Sequence, residues 1–182
     1  MPYEAPPELA SLTLAQIAEQ VEQRKFPPVE EWSPQQTGDS LMRIAANGTW
    51  FHDGGPIRRP AMVRAFAGLL MRDAEGQHWL VTPYEKLTIE VEDAPYIATD
   101  VSDVDGALGF RINTDDLVLA GPDTPIIARG SRETPALYLT VRRGLEARPN
   151  RSTYQQLADI ALENGDDWTV SSQGARFSLL PS

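Results

Sequence analysis

Residues 41–53 read Leu41-Met42-Arg43-Ile44-Ala45-Ala46-Asn47-Gly48-Thr49-Trp50-Phe51-His52-Asp53. Asn-Gly between two apolar-rich runs is a strong short-range hairpin signal, because both residues tolerate the positive φ angles of a two-residue turn. Leu41–Ala45 and Thr49–Asp53 are therefore predicted as paired strands. Beyond Gly54-Gly55-Pro56, Pro60 suits the first position of a helix, where its missing N–H is not needed. Met62, Phe66, Leu69 and Leu70 then recur at helical spacing and are expected to form the buried stripe of that helix. Trp79–Pro83 reads as a strand and Tyr84-Glu85-Lys86 as a turn. Leu87, Ile89 and Val91 alternate with Thr88, Glu90 and Glu92, as in a half-buried strand. The order is hairpin, helix, hairpin.

The end of the chain repeats this order. Ala136–Val141 and Leu145–Arg148 flank the turn Arg143-Gly144. Ser152 and Gln155 form a capping box for a helix with an apolar line of Tyr154, Ala158, Ala161 and Leu162. Asn164-Gly165 ends that helix, and Trp168–Ser171 with Ala175–Leu180 form a closing hairpin in which Trp168 matches Trp79. The expected fold class is α+β, built as duplicated hairpin–helix–hairpin rolls, each sheet curling around one amphipathic helix. Residues 93–134 add further strands, with Leu108, Phe110 and Ile112 alternating. Near the start, a capping box at Thr13 and Gln16 opens a helix carrying Leu14, Ile17, Ala18 and Val21 on one face. Pro27-Pro28 stops it, and residues 29–40 read as an extended linker. The expected divisions are 1–40 (helix and linker), 41–99 (first repeat domain) and 100–182 (second domain).

The 182 residues are 41% apolar, enough for a core, and contain 26 acidic and 16 basic residues for a net charge of −10. An acidic chain is a poor match to nucleic acid, whose binders displace counterions with a basic surface. No apolar run approaches the ~20 residues that span a bilayer. Met1-Pro2-Tyr3-Glu4 opens without a basic region and apolar stretch, so neither a signal peptide nor a membrane partner is expected, and the cytoplasm is the expected location. With no cysteine and two histidines, the chain offers no thiolate or three-histidine metal centre. Residues 100–106 resemble a calcium loop, but alignment on Gly106 puts Val101 and Ile112 where carboxylates belong. No P-loop or nucleophile elbow is present. Neither metal nor cofactor is expected.

One constellation points to a ligand. Arg58 and Arg59 precede the first repeat helix, and Arg148 and Arg151 precede the second. Helix N-termini present free N–H groups, and guanidinium forks suit phosphate or carboxylate. His52, and the turn residues Glu85, Lys86 and Asp93, complete the candidate set of ligand-binding residues. A hydrolase using His52 with Glu85 or Asp53 is the enzymatic alternative. Docking of a protein partner on the amphipathic segment Thr13–Lys25, or on an exposed sheet edge, is the other.

Three clusters resemble a known family: Trp32, Pro34 and Gly38; then Arg43-Ile44, Gly48, Trp50, His52, Gly54, Pro56-Ile57 and Arg58; then Leu80-Val81-Thr82-Pro83, Glu85-Lys86, Ile89 and Val91 through Pro95. Together they are similar to bacterial domain-of-unknown-function family 1285 (DUF1285). That resemblance implies a duplicated α+β core whose second half is superficially pleckstrin-homology-like. It also implies a nucleotide-like ligand between the halves and a role in signalling. The expected function is a non-enzymatic module that binds a small anionic molecule.

Overall fold

The computed structural model describes residues 4–182. Helix α1 (Leu14–Gln23) is followed by a first six-stranded sheet. Its strands are β1 (Gln36–Ile44), β2 (Trp50–His52), β3 (Gly55–Pro56), β4 (Leu70–Arg72), β5 (His78–Val81) and β6 (Glu85–Val91). Helix α2 (Pro60–Ala67) joins β3 to β4. The second sheet holds β7 (Tyr96–Val104), β8 (Ala107–Ile112), β9 (Leu117–Leu119), β10 (Ile126–Gly130), β11 (Pro135–Arg142) and β12 (Leu145–Pro149). Helix α3 (Arg151–Asn164) and a separate hairpin, β13 (Thr169–Ser172) with β14 (Ala175–Ser178), complete the chain. Among the described residues, no helix is long and apolar enough to cross a membrane.

The fold is mixed α+β with a two-part duplicated architecture, and the sheets share one topology. The first runs β3-β2-β1-β6-β5-β4 and the second β9-β8-β7-β12-β11-β10. In each, the first and last strands of the six meet in parallel at the centre, β1 with β6 and β7 with β12. This corrects the repeat expected from sequence. The hairpin–helix–hairpin order does occur twice, but the two closing hairpins are not equivalent. In the first half β6 returns to pair with β1. In the second, the strand matched to β1 is β11, whose neighbours are β10 and β12, so β13 and β14 form their own ladder. Trp168 accordingly lies outside any strand, with φ of 54°, whereas Trp79 sits in β5.

Other boundaries moved for local reasons. Gly48 alone takes a positive φ at the first hairpin, and its N–H donates to the Ala45 carbonyl, giving a three-residue loop instead of a two-residue one. Helix α2 ends at Ala67, so Leu70 belongs to β4. Helix α3 starts at Arg151 and is capped by Asn150, whose Oδ1 accepts the Thr153 N–H at 2.9 Å. Ser152 is thus inside the helix, and the buried line is Thr153, Leu157 and Ala161, leaving Leu162 exposed. Residues 36–39, read as linker, pair with β6. Residues 100–106 are the end of β7 and a turn.

Contacts divide the chain into two units. The first contains Lys25–Pro95 together with the short segment Arg142–Leu145; the second contains Ala5–Arg24, Tyr96–Val141 and Glu146–Ser182. The core of the first is built around Ile44, Trp50, Leu70, Val81 and Ile89, with Trp50 stacked on Phe66 at 6.4 Å between ring centroids. The second buries Tyr96, Phe110, Leu139, Ala147 and Leu157.

Between β4 and β5 a carboxylate organises the turn. Asp73 Oδ1 accepts the backbone N–H of Glu75 and Gln77, and Oδ2 accepts the Trp79 indole N–H at 2.9 Å. The indole bond, then the Gln77 N–H, hold the Asp73 carboxyl below its usual value of 3.8. A depressed folded value means that this stabilisation is present above the unfolded value and lost as pH falls through the folded one. Asp73→Asn is therefore expected to melt below wild type at neutral pH, with the gap closing once the pH drops under about 4. Thermal melts across that range check it; a gap independent of pH would contradict it.

Candidate functional site

The site forms around the β2–β3 hairpin. Asp53 and Gly54 turn it with φ of 48° and 84°, the signature of a two-residue type I′ turn. Across the strand pair, Met42 is opposite His52. Successive residues of β2 face opposite ways, so Phe51 and Asp53 line one cavity while His52 lines another.

The first cavity, of about 580 Å³, is polar and includes Asp39, Arg43, Asp53 and Glu90. Its arginine is engaged: Arg43 donates to Glu92 at 2.6 Å, and its guanidinium lies 4.3 Å from the centre of the Phe51 ring. Beside it the β1 ladder is interrupted between Asp39 and Arg43. Leu41 occupies that break with φ of 58°, a conformation costly for a bulky side chain. Two hydrogen bonds at 2.8 Å hold it, from Leu41 N–H to Asp39 Oδ1 and from Asp53 N–H to the Leu41 carbonyl. The bulge leaves the Leu41 side chain exposed and brings Met42 to the wall of both cavities.

The second cavity, of about 640 Å³, is walled by Met42, Pro56, Ile57, Met62 and Phe66. Its polar side chains are His52, Arg58 and Arg59. Arg59 is the N-cap residue of α2, with no side-chain cap on the helix. Neither arginine, nor the His52 ring, makes a hydrogen bond or ion pair among the described residues. Arg24, Arg43, Arg129, Arg143 and Arg176, by contrast, each meet a carboxylate.

A family model described as "Domain of unknown function (DUF1285), N-terminal domain" matches residues 27–94, and "Protein of unknown function (DUF1285), C-terminal domain" matches residues 95–179. The chain belongs to the DUF1285 family. It is similar to the crystal structure of a DUF1285 family protein from Silicibacter pomeroyi DSS-3, with 40% identity, a TM-score of 0.78, and coverage of 94% of this chain and 97% of that one. A DUF1285 family protein from Shewanella baltica OS155 shares the fold at 23% identity, with a TM-score of 0.54 over 66% of this chain and 91% of that one. Among curated proteins, none matches.

Within this DUF1285 chain the sequence-predicted residues are distributed unevenly. His52, Arg58 and Arg59 share the apolar cavity. Lys86 lies elsewhere in the first unit: its ammonium sits 4.2 Å from the centre of the Trp79 ring, and it lines a smaller cavity of about 300 Å³ with Trp32 and Glu30. Glu85 begins β6 beside the Thr82 turn, exposed. Asp93 lies in the loop after β6. Arg148 belongs to β12 of the second unit and reaches the Tyr138 hydroxyl at 3.3 Å. Arg151 is the first residue of α3, exposed. Of the residues of the hydrolase alternative, His52 lines the apolar cavity, Asp53 lines the polar one, and Glu85 lines neither. Sequence reasoning missed Met42, which the hairpin register alone places opposite His52. It also read Met62 and Phe66 as buried, whereas Met62 is 41% exposed.

Proposed function

We propose that this DUF1285 protein is a non-enzymatic binding module for a small organic anion, with a role in signalling. The observation that carries this reading is the pair of unengaged arginines, adjacent in sequence, at the edge of one apolar cavity in an acidic chain. Two guanidinium forks favour a carboxylate or phosphate head. The apolar walls favour a body removed from water. A nucleotide is one such anion, and the DUF1285 resemblance implies a ligand of that kind. We also read the second unit, a bulged six-stranded sheet followed by α3, as pleckstrin-homology-like; α3 packing on β7 supports this.

Calorimetric titration with AMP, inorganic phosphate and a short carboxylate at low salt tests the binding reading. Saturable binding of at least one of them is expected, with Arg58→Ala/Arg59→Ala weakening it about tenfold or more, since each charge-assisted hydrogen bond contributes ~1.5–3 kcal/mol. Absence of binding by every anion up to about 10 mM, a regime reaching weak millimolar affinities, would overturn it.

A further inference from the structure

We infer that the ligand of the apolar cavity is an acyl anion: one carboxylate head held by Arg58 and Arg59, with a flexible aliphatic chain along Met42, Ile57, Met62 and Phe66. This rests on the anion-binding reading above and names the class of ligand within it.

The walls select the body. Apart from His52 and the two arginines, the lining side chains have no hydrogen-bonding group. A nucleobase carries donors and acceptors along its edges, and a ribose carries hydroxyls. Desolvated against methionine, proline and isoleucine, those groups would lose water and gain no partner, which is costly. An aliphatic chain has nothing to leave unsatisfied. Aromatic stacking is also poorly served: Phe66 is the one phenyl ring in the lining, it already stacks with buried Trp50 at an interplanar angle of 20°, and the His52 imidazole is the only other aromatic group there.

The same walls suit a chain of variable shape. Met42 and Met62 are unbranched and polarisable, so they repack around a flexible ligand more readily than β-branched side chains do. Met62 stands 41% exposed, and an apolar chain laid over it would remove that surface from water. Charge fits as well. A chain with 26 acidic residues repels anions in general, and this cavity has two cationic groups that no carboxylate among the described residues claims. A free acyl carboxylate and the acyl chain of an anionic lipid share this chemistry, and the experiment separates them.

The test is a titration of the full chain with sodium hexanoate, octanoate and decanoate below micelle formation, alongside AMP and inorganic phosphate. Affinity is expected to rise about two- to fourfold per added methylene, fourfold being the value for full burial of each group. Arg58→Ala/Arg59→Ala is expected to weaken all three acids by a common factor and keep the ratio between them. Met62→Gln, at an exposed position where folding is preserved, is expected to flatten that ratio. Chain-length-independent binding, with AMP or phosphate as tight as decanoate, would overturn the acyl assignment while leaving the anion reading intact. Silence from every ligand would overturn both. A second arm uses flotation with phosphatidylcholine–phosphatidylglycerol vesicles. Co-flotation without saturable decanoate binding would overturn the proposal in favour of a bilayer surface, and co-flotation competed by decanoate would support it.

Discussion

Ile17→Ala is expected to lower stability by about 3 kcal/mol, near the middle of the range for truncating a buried aliphatic side chain. Helix α1 opens with the reciprocal cap anticipated from sequence: Gln16 N–H donates to Thr13 Oγ1 and Thr13 N–H to Gln16 Oε1. Its apolar face packs into the second unit. Ile17 is fully buried in a cluster with Leu9, Leu12 and Leu117, and Val21 and Leu119 pack against it. The fit depends on Gly109, because a Cβ there would come within 3.1 Å of Ile17 Cδ1. Arg24 fixes the far end through Asp116 at 2.6 Å. For a chain of this size the loss corresponds to roughly 6–12 °C in melting temperature. Gly109→Ala is expected to cost ~1–3 kcal/mol through overlap with Ile17. Ile17→Val removes the clashing Cδ1, so Gly109→Ala should be better tolerated in that background by ~1 kcal/mol. Urea denaturation of the four proteins measures the cycle. An Ile17→Ala variant as stable as wild type would show that α1 is not part of the core and return its apolar face to the set of docking surfaces.

That helix shows what a sequence can and cannot convey. Its cap and stripe are local patterns and were legible; its partner was not, because nothing in Leu14–Val21 encodes the strand it covers. The sheets divide the same way. The Asn47-Gly48 hairpin and the alternation over 87–91 are written in adjacent residues. The central pairs β1 with β6 and β7 with β12 join strands about fifty residues apart, and parallel pairing leaves no turn signature. Matching the two halves by hairpin–helix–hairpin order therefore aligned real elements in the wrong spatial register. Arg148 and Arg151 were chosen on that alignment, and they fall on β12 and α3, whereas the topological equivalent of β12 is β6.

The candidate site was legible where short chain distance keeps residues together. His52, Arg58 and Arg59 span one hairpin and one helix start, and they share a cavity. Lys86 was grouped with them from its place in a turn. Its neighbours are set by the β5–β6 ladder, which puts Trp79 beneath its ammonium. The break at Leu41 was invisible for a different reason. A leucine at positive φ contradicts its own local preference and is sustained by Asp39 and Asp53 together. Such conflicts between local and tertiary terms cluster where a chain serves function.

Arg143→Ala is expected to cost about 3 kcal/mol, read in the melting of the first unit. Arg143 sits at the turn of residues 142–145 with φ of 53°, and its side chain is only 8% exposed. The guanidinium uses three nitrogens: Nε donates to Glu30, Nη1 to the Gly68 carbonyl at 3.1 Å, and Nη2 to the Pro27 carbonyl at 2.5 Å. Its own carbonyl accepts the Arg72 N–H, and neighbouring Arg142 lies 3.5 Å above the Phe26 ring. Partial burial would raise the Glu30 carboxyl, but its own backbone N–H and Arg143 outweigh that and hold it below 4.5. The Glu30 side chain is 54% exposed, so solvent screens this ion pair and its share of the loss is small. Most of the cost comes from the Gly68 carbonyl left without its guanidinium donor, from the Pro27 carbonyl left with the Val29 N–H alone, and from the space the guanidinium filled. The variants should therefore rank unequally. Glu30→Gln is expected to cost under ~1 kcal/mol, whereas Arg143→Lys, which keeps the charge but loses the planar fork, should retain less than half of the wild-type contribution. Equal losses for Glu30→Gln and Arg143→Ala would mean that the ion pair dominates and that the carbonyl bonds contribute little.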